Sequence, residues 1–407
     1  MNKRDLRRLL TISCGLKIMN YQDPLELSKS LIRCPSVTPK DSGAIGVLQT
    51  YLERIGFHCQ QVTFSDKDTP DVVNLYARLG TSQPNFCFAG HTDVVPTGDL
   101  QRWASNPFLP EVRNGFLYGR GAADMKCAIA AFASAVKHFC EEKNHKFPGS
   151  ISLLITGDEE GPAINGTIKL LNWLKEKKEV FDHCMVGEPT SDSTIGDIIK
   201  IGRRGSLNAT ITMFGKQGHV AYPQNADNPI GSLINFLKVI NEKVWDRGTE
   251  YFQPTNLEVT SIDTNNKISN VIPEKASARI NIRFNNLQSG KLLEEALKNE
   301  LLKFQNKSHI DVKVSGEAFL NEPSRFSNLI AESVKSVSGI QPVLSTSGGT
   351  SDARFIKDSC PVVELGMRNL TAHQIDEHIS IADLNQLTKI YLEVLRNYFA
   401  SPDANNF

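Results

Sequence analysis

Six side chains in this sequence combine the right types with a shared setting: His91, Asp124, Glu159, Glu160, Glu188 and His373. The first five follow an apolar run or open a helix, and His373 lies in a polar loop after the last apolar run. Imidazole and carboxylate donors without thiolates suit zinc, cobalt or manganese at a hydrolytic site. Glu159 and Glu160 are adjacent and repel each other unless a cation or a proton separates them. His91 and Asp93 are two residues apart, so on extended backbone they share a face, and the carboxylate can orient the imidazole. Charge counting favours two ions, because three ligand carboxylates and one hydroxide balance two divalent cations, whereas a single ion leaves buried negative charge. Taken singly, Asp124 could be a helix cap and the glutamate pair a solvated turn. Six residues in the same relation to strand ends do not fit that reading.

The elements that must hold these residues can be read around them. Residues 151–161, ISLLITGDEEG, are an apolar run bounded by glycines, the pattern of a buried parallel strand that delivers both glutamates at its carboxyl end, where open α/β sheets bind ligands. Further strands are predicted over 58–63, 72–79, 86–89, 182–186 and 361–364. The run 86–89 opens into Gly90 and His91, and 182–186 into Gly187 and Glu188. Helices are predicted over 23–32, 44–55, 128–139, 167–177, 327–337 and 381–398. The glycine-rich GRGAADMKC, 119–127, lacks phosphate-loop spacing and presents Asp124 where a helix opens. From Arg204 the texture changes. Strands over 206–214, 257–262, 276–284 and 310–314 alternate with helices over 229–244 and 287–304, the split βαβ order of a compact inserted unit.

Composition limits the alternatives. At 407 residues the chain is long for a single core. Lys plus Arg equals Asp plus Glu, 45 each, so no basic excess argues for nucleic acid or an anionic membrane. No apolar segment has bilayer-spanning length. Eight cysteines without a C-x-x-C pair read as reduced and buried, as in a cytoplasmic protein. The basic N-terminus is interrupted by Lys17 and lacks a small-residue cleavage site, so it reads as an extension, with Met1 or Met19 as the start.

The segments FAGHTDVVP, GRGAADMK, ITGDEEG, VGEPT and TAHQIDEH, in this order, resemble the di-zinc aminoacylase and carboxypeptidase family. Within it GRRGSL (202–207), SNVIP (269–273) and GGTSDARFI (348–356) are most similar to the members that hydrolyse N-succinyl-LL-2,6-diaminopimelate to succinate and LL-2,6-diaminopimelate. The resemblance runs from about Tyr21 to the end of the chain. It implies an α/β fold: a zinc-peptidase-like catalytic domain with a mostly parallel sheet, formed by 21–203 and 317–407, and an inserted ferredoxin-like α+β dimerisation domain, 204–316, after an extension over 1–20. His91 and Glu188 would hold one zinc, Glu160 and His373 the other, with Asp124 bridging and cobalt able to substitute at one site. Asp93 would orient His91, and Glu159 would be the general base. His378 is the competing last ligand, but the family pattern selects the histidine before Gln374. Arg203, Asn270, Arg283, Thr350 and Asn369 would contact substrate, and His219 would reach the active site of the partner in a homodimer and polarise the scissile carbonyl. Another N-acyl-amino-acid deacylase or a dipeptidase would use the same metal site. A metal-binding protein without activity would not need Glu159.

Overall fold

The computed structural model describes residues 24–304 and 307–400. The expected extension over 1–20, with Cys14 and Met19, lies outside the described residues, as does Asp23. No helix among the described residues is long and apolar enough to cross a membrane, and the seven described cysteines are free.

The large sheet has eight strands in the order His58–Asp66, Thr69–Leu79, Ser150–Thr156, Asn85–His91, His183–Val186, Val362–Glu364, Ile198–Lys200 and Val343–Ser345. It is mixed. Its first two pairings are antiparallel, and the middle is parallel, with Asn85–His91 flanked by Ser150–Thr156 and His183–Val186. Those three strands are buried along their whole length, which is why they are continuous apolar runs and not alternating ones. Parallel neighbours end at the same edge, so His91, Glu159, Glu160 and Glu188 emerge together.

One face of the sheet is covered by Cys127–Glu142 and Ile381–Ala400. The alanines of the first helix let it sit deep, and Phe132 stacks on Phe88 at 4.2 Å while Tyr391 meets both rings edge-on. The helix Thr167–Glu176 covers a smaller apolar cluster that includes Leu154, Leu170 and Val186.

The second sheet, Asn256–Asp263, Lys275–Phe284, Gly205–Phe214 and Ser308–Gly316 in that order, is antiparallel throughout. Helices Pro229–Glu242 and Gly290–Leu301 pack on it around a separate core of Leu207, Ile211, Phe236, Ile280 and Leu293. This is the expected βαββαβ arrangement. The second helix starts at Gly290, not at 287, because the Ser289 hydroxyl accepts from the Leu292 N–H and fixes the first turn.

Two differences bear on the site. The strand expected over 86–89 continues through His91, so the imidazole is held by strand backbone and not by a loop. Three short strands, Glu111–Arg113, Phe116–Tyr118 and His378–Ser380, form a sheet that was not expected, since three residues carry no readable period. By pairing His378–Ser380 with Phe116–Tyr118, this sheet brings the segment after His373 beside the one that carries Asp124.

Candidate metal centre

Asp124 sits in a turn before the long helix and does not open it; its backbone, φ −129° and ψ 98°, is extended. The expectation of a carboxylate at the opening of a helix is corrected on this point. The following side chain, Met125, is fully buried and wedges under the site. A Cβ at Gly90 would lie 2.4 Å from Met125 Cε, and one at Gly187 2.7 Å from it. A side chain just before His91 or Glu188 would therefore displace the end of Met125 and, at Gly187, the Phe88 ring, and glycine at both places lets the strand ends close on the Asp124 turn.

The three segments bring their side chains into contact. His91 is 1% exposed. Its Nδ1 lies 3.0 Å from the Asp93 carbonyl and its Nε2 lies 3.1 Å from Asp124 Oδ1 and 3.7 Å from Glu188 Oε1. With Nδ1–H donated to the carbonyl, Nε2 is the nitrogen that would offer its lone pair to a metal ion once its proton is displaced. On the other side, His373 Nε2 is 3.2 Å from Asp124 Oδ2 and 2.7 Å from Glu160 Oε1. Two donor groups result, His91 with Asp124 and Glu188, and His373 with Asp124 and Glu160, each with its ligand atoms within 4.8 Å of one another. Asp124 belongs to both, one oxygen facing each. A third combination, His91 with Glu159 and Glu160, also lies within 4.8 Å.

The electrostatics of this arrangement call for cations. Burial pushes the Glu188 carboxyl well above its usual range, as do Asp124 and Glu159 beside it, and Glu188 Oε1 is buried without a hydrogen-bond partner. Burial alone would depress the His91 imidazole, but its hydrogen bond to Asp124 and the charges of Glu188, Asp124 and Asp93 hold it well above its usual value. Hydrogen bonds to Asp124 and Glu160 push His373 up to about 10. Burial would raise Asp124, but its bonds to the two histidines outweigh this and hold it below the usual carboxylate range. The raised histidines register the excess of negative charge around them, the charge that divalent cations would compensate. Mixed nitrogen and oxygen donors with an orphaned carboxylate oxygen fit two divalent metal ions.

Glu159 is in the same cleft. Its pKa is pushed well above the carboxylate range, first by burial and then by Asp352, Glu160 and Asp124, with His91 opposing. Asp93 serves more than His91. Its carboxylate is 3.6 Å from His91 Nδ1, whereas it accepts the backbone N–H groups of Glu159 (3.3 Å) and Glu160 (3.0 Å). The expected orienting bond to His91 is thus made by the Asp93 carbonyl, and the carboxylate sets the glutamate loop. His378 packs against Tyr118, ring centroids 4.6 Å apart, and its Nδ1 faces the Asp376 carbonyl at 2.7 Å.

A cleft of about 530 Å³ opens above these residues, bounded on its far side by the open face of the second sheet, with Arg283, Lys313 and Ser315. Thr350 lines it too, as do Lys313 and Arg354, which sequence reasoning passed over. Arg354 lies inside the quoted GGTSDARFI segment and could have been flagged; Lys313, in an alternating strand, carries no such signal.

Three expected substrate contacts, Arg203, Asn369 and Asn270, do not line this cleft within one chain. Arg203 is buried and its guanidinium is taken up by Glu364, with Nε 2.8 and 3.0 Å from the two carboxylate oxygens and Nη1 donating to the Gly349 carbonyl at 3.1 Å. Glu364 is 1% exposed, and a carboxylate that deep needs a paired cation. Asn369 is exposed and does not line the cleft; its main chain is tied to the Ser191 carbonyl. Asn270 and His219 share a two-stranded ribbon, joined by the Val220 N–H and the Asn270 carbonyl, beyond the far end of Gly205–Phe214. A ten-residue strand is about 30 Å long, which carries both residues away from the cleft of their own chain. His219 is exposed there, its Nδ1 accepting from the Ala221 N–H.

Known proteins resemble this chain in sequence and in fold. A protein of Parvibaculum lavamentivorans named succinyl-diaminopimelate desuccinylase is 53% identical over 382 residues, 93% of this chain and 96% of its own length. One of the same name from Caulobacter vibrioides is 51% identical over 383 residues, 93% of this chain and 97% of that protein. Among solved structures, the metallo-carboxypeptidase Sso-CP2 of Sulfolobus solfataricus superposes with a TM-score of 0.72 at 19% identity, over 93% of this chain and 99% of that one. The YXEP protein of Bacillus subtilis, a dinuclear metal-binding peptidase, does so with a TM-score of 0.64 at 13% identity, over 92% and 98%. The family model described as Peptidase family M20/M25/M40 matches residues 87–397, a span that holds all six candidate ligand and base residues. With that match and relatives identical at half their positions over almost the whole chain, this protein belongs to Peptidase family M20/M25/M40.

Proposed function

We propose that the chain is a succinyl-diaminopimelate desuccinylase, cleaving the amide of N-succinyl-LL-2,6-diaminopimelate with water to give succinate and LL-2,6-diaminopimelate. The observation that carries the chemistry is Asp124, whose two oxygens face two separate histidine and glutamate groups. The substrate follows from the shared name of relatives about half identical over nearly their full length. His91 and Glu188 would hold one zinc ion, His373 and Glu160 the other, and Asp124 both, with cobalt able to replace one. Two such ions, when bound, polarise the amide carbonyl and favour ionisation of water.

The remaining work falls to the protein's own side chains. Glu159, half-buried and with its pKa raised by burial, takes a proton from the attacking water and delivers it to the amide nitrogen as the C–N bond breaks. Asp93 fixes the loop that aims it. Arg283, Lys313, Arg354 and Thr350 line the cleft and meet a substrate that carries three carboxylates. His219 stands on a ribbon remote from its own cleft, which supports a homodimer in which it serves the partner's site as an oxyanion donor. A biosynthetic role of this kind suits the cytoplasm.

The test is a direct comparison of the purified protein on N-succinyl-LL-2,6-diaminopimelate, acetylornithine and simple dipeptides. Turnover of the succinyl compound should exceed the others by orders of magnitude. Faster release from acetylornithine or a dipeptide would reassign the protein within the family.

A further inference from the structure

Glu377 lies four residues beyond His373 and has no place in the chemistry above, yet it is fully buried and receives five hydrogen bonds from a single segment. Its carbonyl accepts the Gly119 N–H at 2.9 Å. Its carboxylate accepts the N–H groups of Gly121 (3.0 Å), Ala123 (2.8 Å) and Asp124 (3.2 Å), and Arg120 Nη1 at 2.7 Å. Arg120, 2% exposed, continues outward: Nη1 also donates to the Gln374 carbonyl at 3.1 Å and Nη2 to the Pro96 carbonyl at 3.2 Å. The Trp103 ring lies 5.2 Å from its guanidinium carbon.

One buried ion pair therefore joins three segments that carry ligand residues: 91–96 with His91, 119–124 with Asp124, and 373–377 with His373. A backbone turn that offers three N–H groups to one point has to find an acceptor there, and only an ionised carboxylate accepts from all of them and from a guanidinium at once. We infer that the Arg120–Glu377 pair is a positioning device that sets the Asp124 carboxylate between His91 and His373, and so fixes the affinity of the chain for its bridged pair of metal ions.

Neither residue touches a ligand atom or the cleft; they act through the backbone of Asp124 and the carbonyl next to His373. The inference rests on the assignment of Asp124 and His373 as ligands. Glu377→Gln keeps the side-chain shape but replaces one acceptor oxygen by an amide NH2 that faces N–H donors, and it leaves Arg120 without its counter-charge.

The experiment titrates metal-free parent and variant with Co2+, following visible absorption and heat, with kcat and KM measured on the reloaded enzymes. Positioning predicts that Glu377→Gln binds Co2+ about 10- to 100-fold more weakly, with a changed absorption band, a lower kcat and a KM within about threefold of the parent. A Co2+ affinity and spectrum within twofold of the parent would overturn the inference, leaving the pair a contributor to stability alone. Should Glu377→Gln fail to fold, Arg120→Lys, which keeps the charge but cannot reach Pro96, Gln374 and Glu377 together, is judged by the same two readings. A parent that itself takes up no Co2+ would sink the ligand assignment, a different result from a parent and variant that bind alike.

Discussion

Replacing Glu159 by glutamine separates the base from the ligands. The variant keeps the shape of the side chain and the backbone bonds from Glu159 and Glu160 to Asp93, and removes only the capacity to take a proton. A positioned general base contributes about 10²- to 10⁴-fold, or about 2.7–5.4 kcal/mol of barrier at 1.36 kcal/mol per decade. The other carboxylates, Asp124, Glu160 and Glu188, are the ones assigned to hold the metal ions, so none is free to substitute as base, and turnover should fall by at least about a hundredfold. Metal content should stay at the parent value, because the two groups that share Asp124 do not include Glu159. Glu160→Gln removes the 2.7 Å partner of His373 and should cost one ion. The assay pairs succinate release with elemental analysis on both variants. The third combination, His91 with Glu159 and Glu160, is the arrangement that would give the opposite result: metal lost from Glu159→Gln and kept by Glu160→Gln would refute the assignment of roles.

His91→Ala should lose metal and activity together, since no other imidazole stands at that strand end; full occupancy by elemental analysis would exclude His91 as a ligand. In the metal-free protein, His91 and His373 have raised pKa values, so the folded state holds protons that the unfolded state releases near pH 6.5. Their stabilisation is complete below about pH 6.5 and is lost as pH rises, for His373 toward about 10. Lys126 and Lys200, depressed by burial to about 8, act in the opposite sense above that pH. The Tm of chelated protein should therefore fall between about pH 6.5 and 8, while the increment given by added metal grows as binding displaces fewer protons; a thermal-shift series with a flat or rising baseline would contradict this. His219→Ala should bind metal normally and be nearly inactive, and mixing it with Glu159→Gln under subunit exchange should recover activity in heterodimers. No recovery despite demonstrated exchange would mean that His219 does not act across a dimer.

The parts legible in the sequence were those in which chemistry and periodicity agree. Residues 151–156 are apolar without interruption because that strand is buried on both faces, and the glycines before His91 and Glu188 mark strand ends crowded by Met125. Boundaries of the long helices came within a few residues because their apolar faces repeat over many turns. The three-residue strands at Glu111–Arg113, Phe116–Tyr118 and His378–Ser380 were beyond reach, since they exist through pairing with each other. Arg203 is a related case: the resemblance offers it as a substrate contact, and only the fold brings the buried Glu364 to it as a partner. Glu377 lies within the TAHQIDEH segment, but its N–H partners lie about 250 residues away in the chain.

A metal titration read by turnover tests the bridged metal centre most directly. Chelated protein should release no succinate from N-succinyl-LL-2,6-diaminopimelate. Activity should return as Zn2+ or Co2+ is added and reach its plateau at two ions per chain, with Asp124→Ala binding neither tightly. Full turnover by rigorously metal-free protein, or a plateau at one ion that a second does not change, would contradict a centre bridged by Asp124.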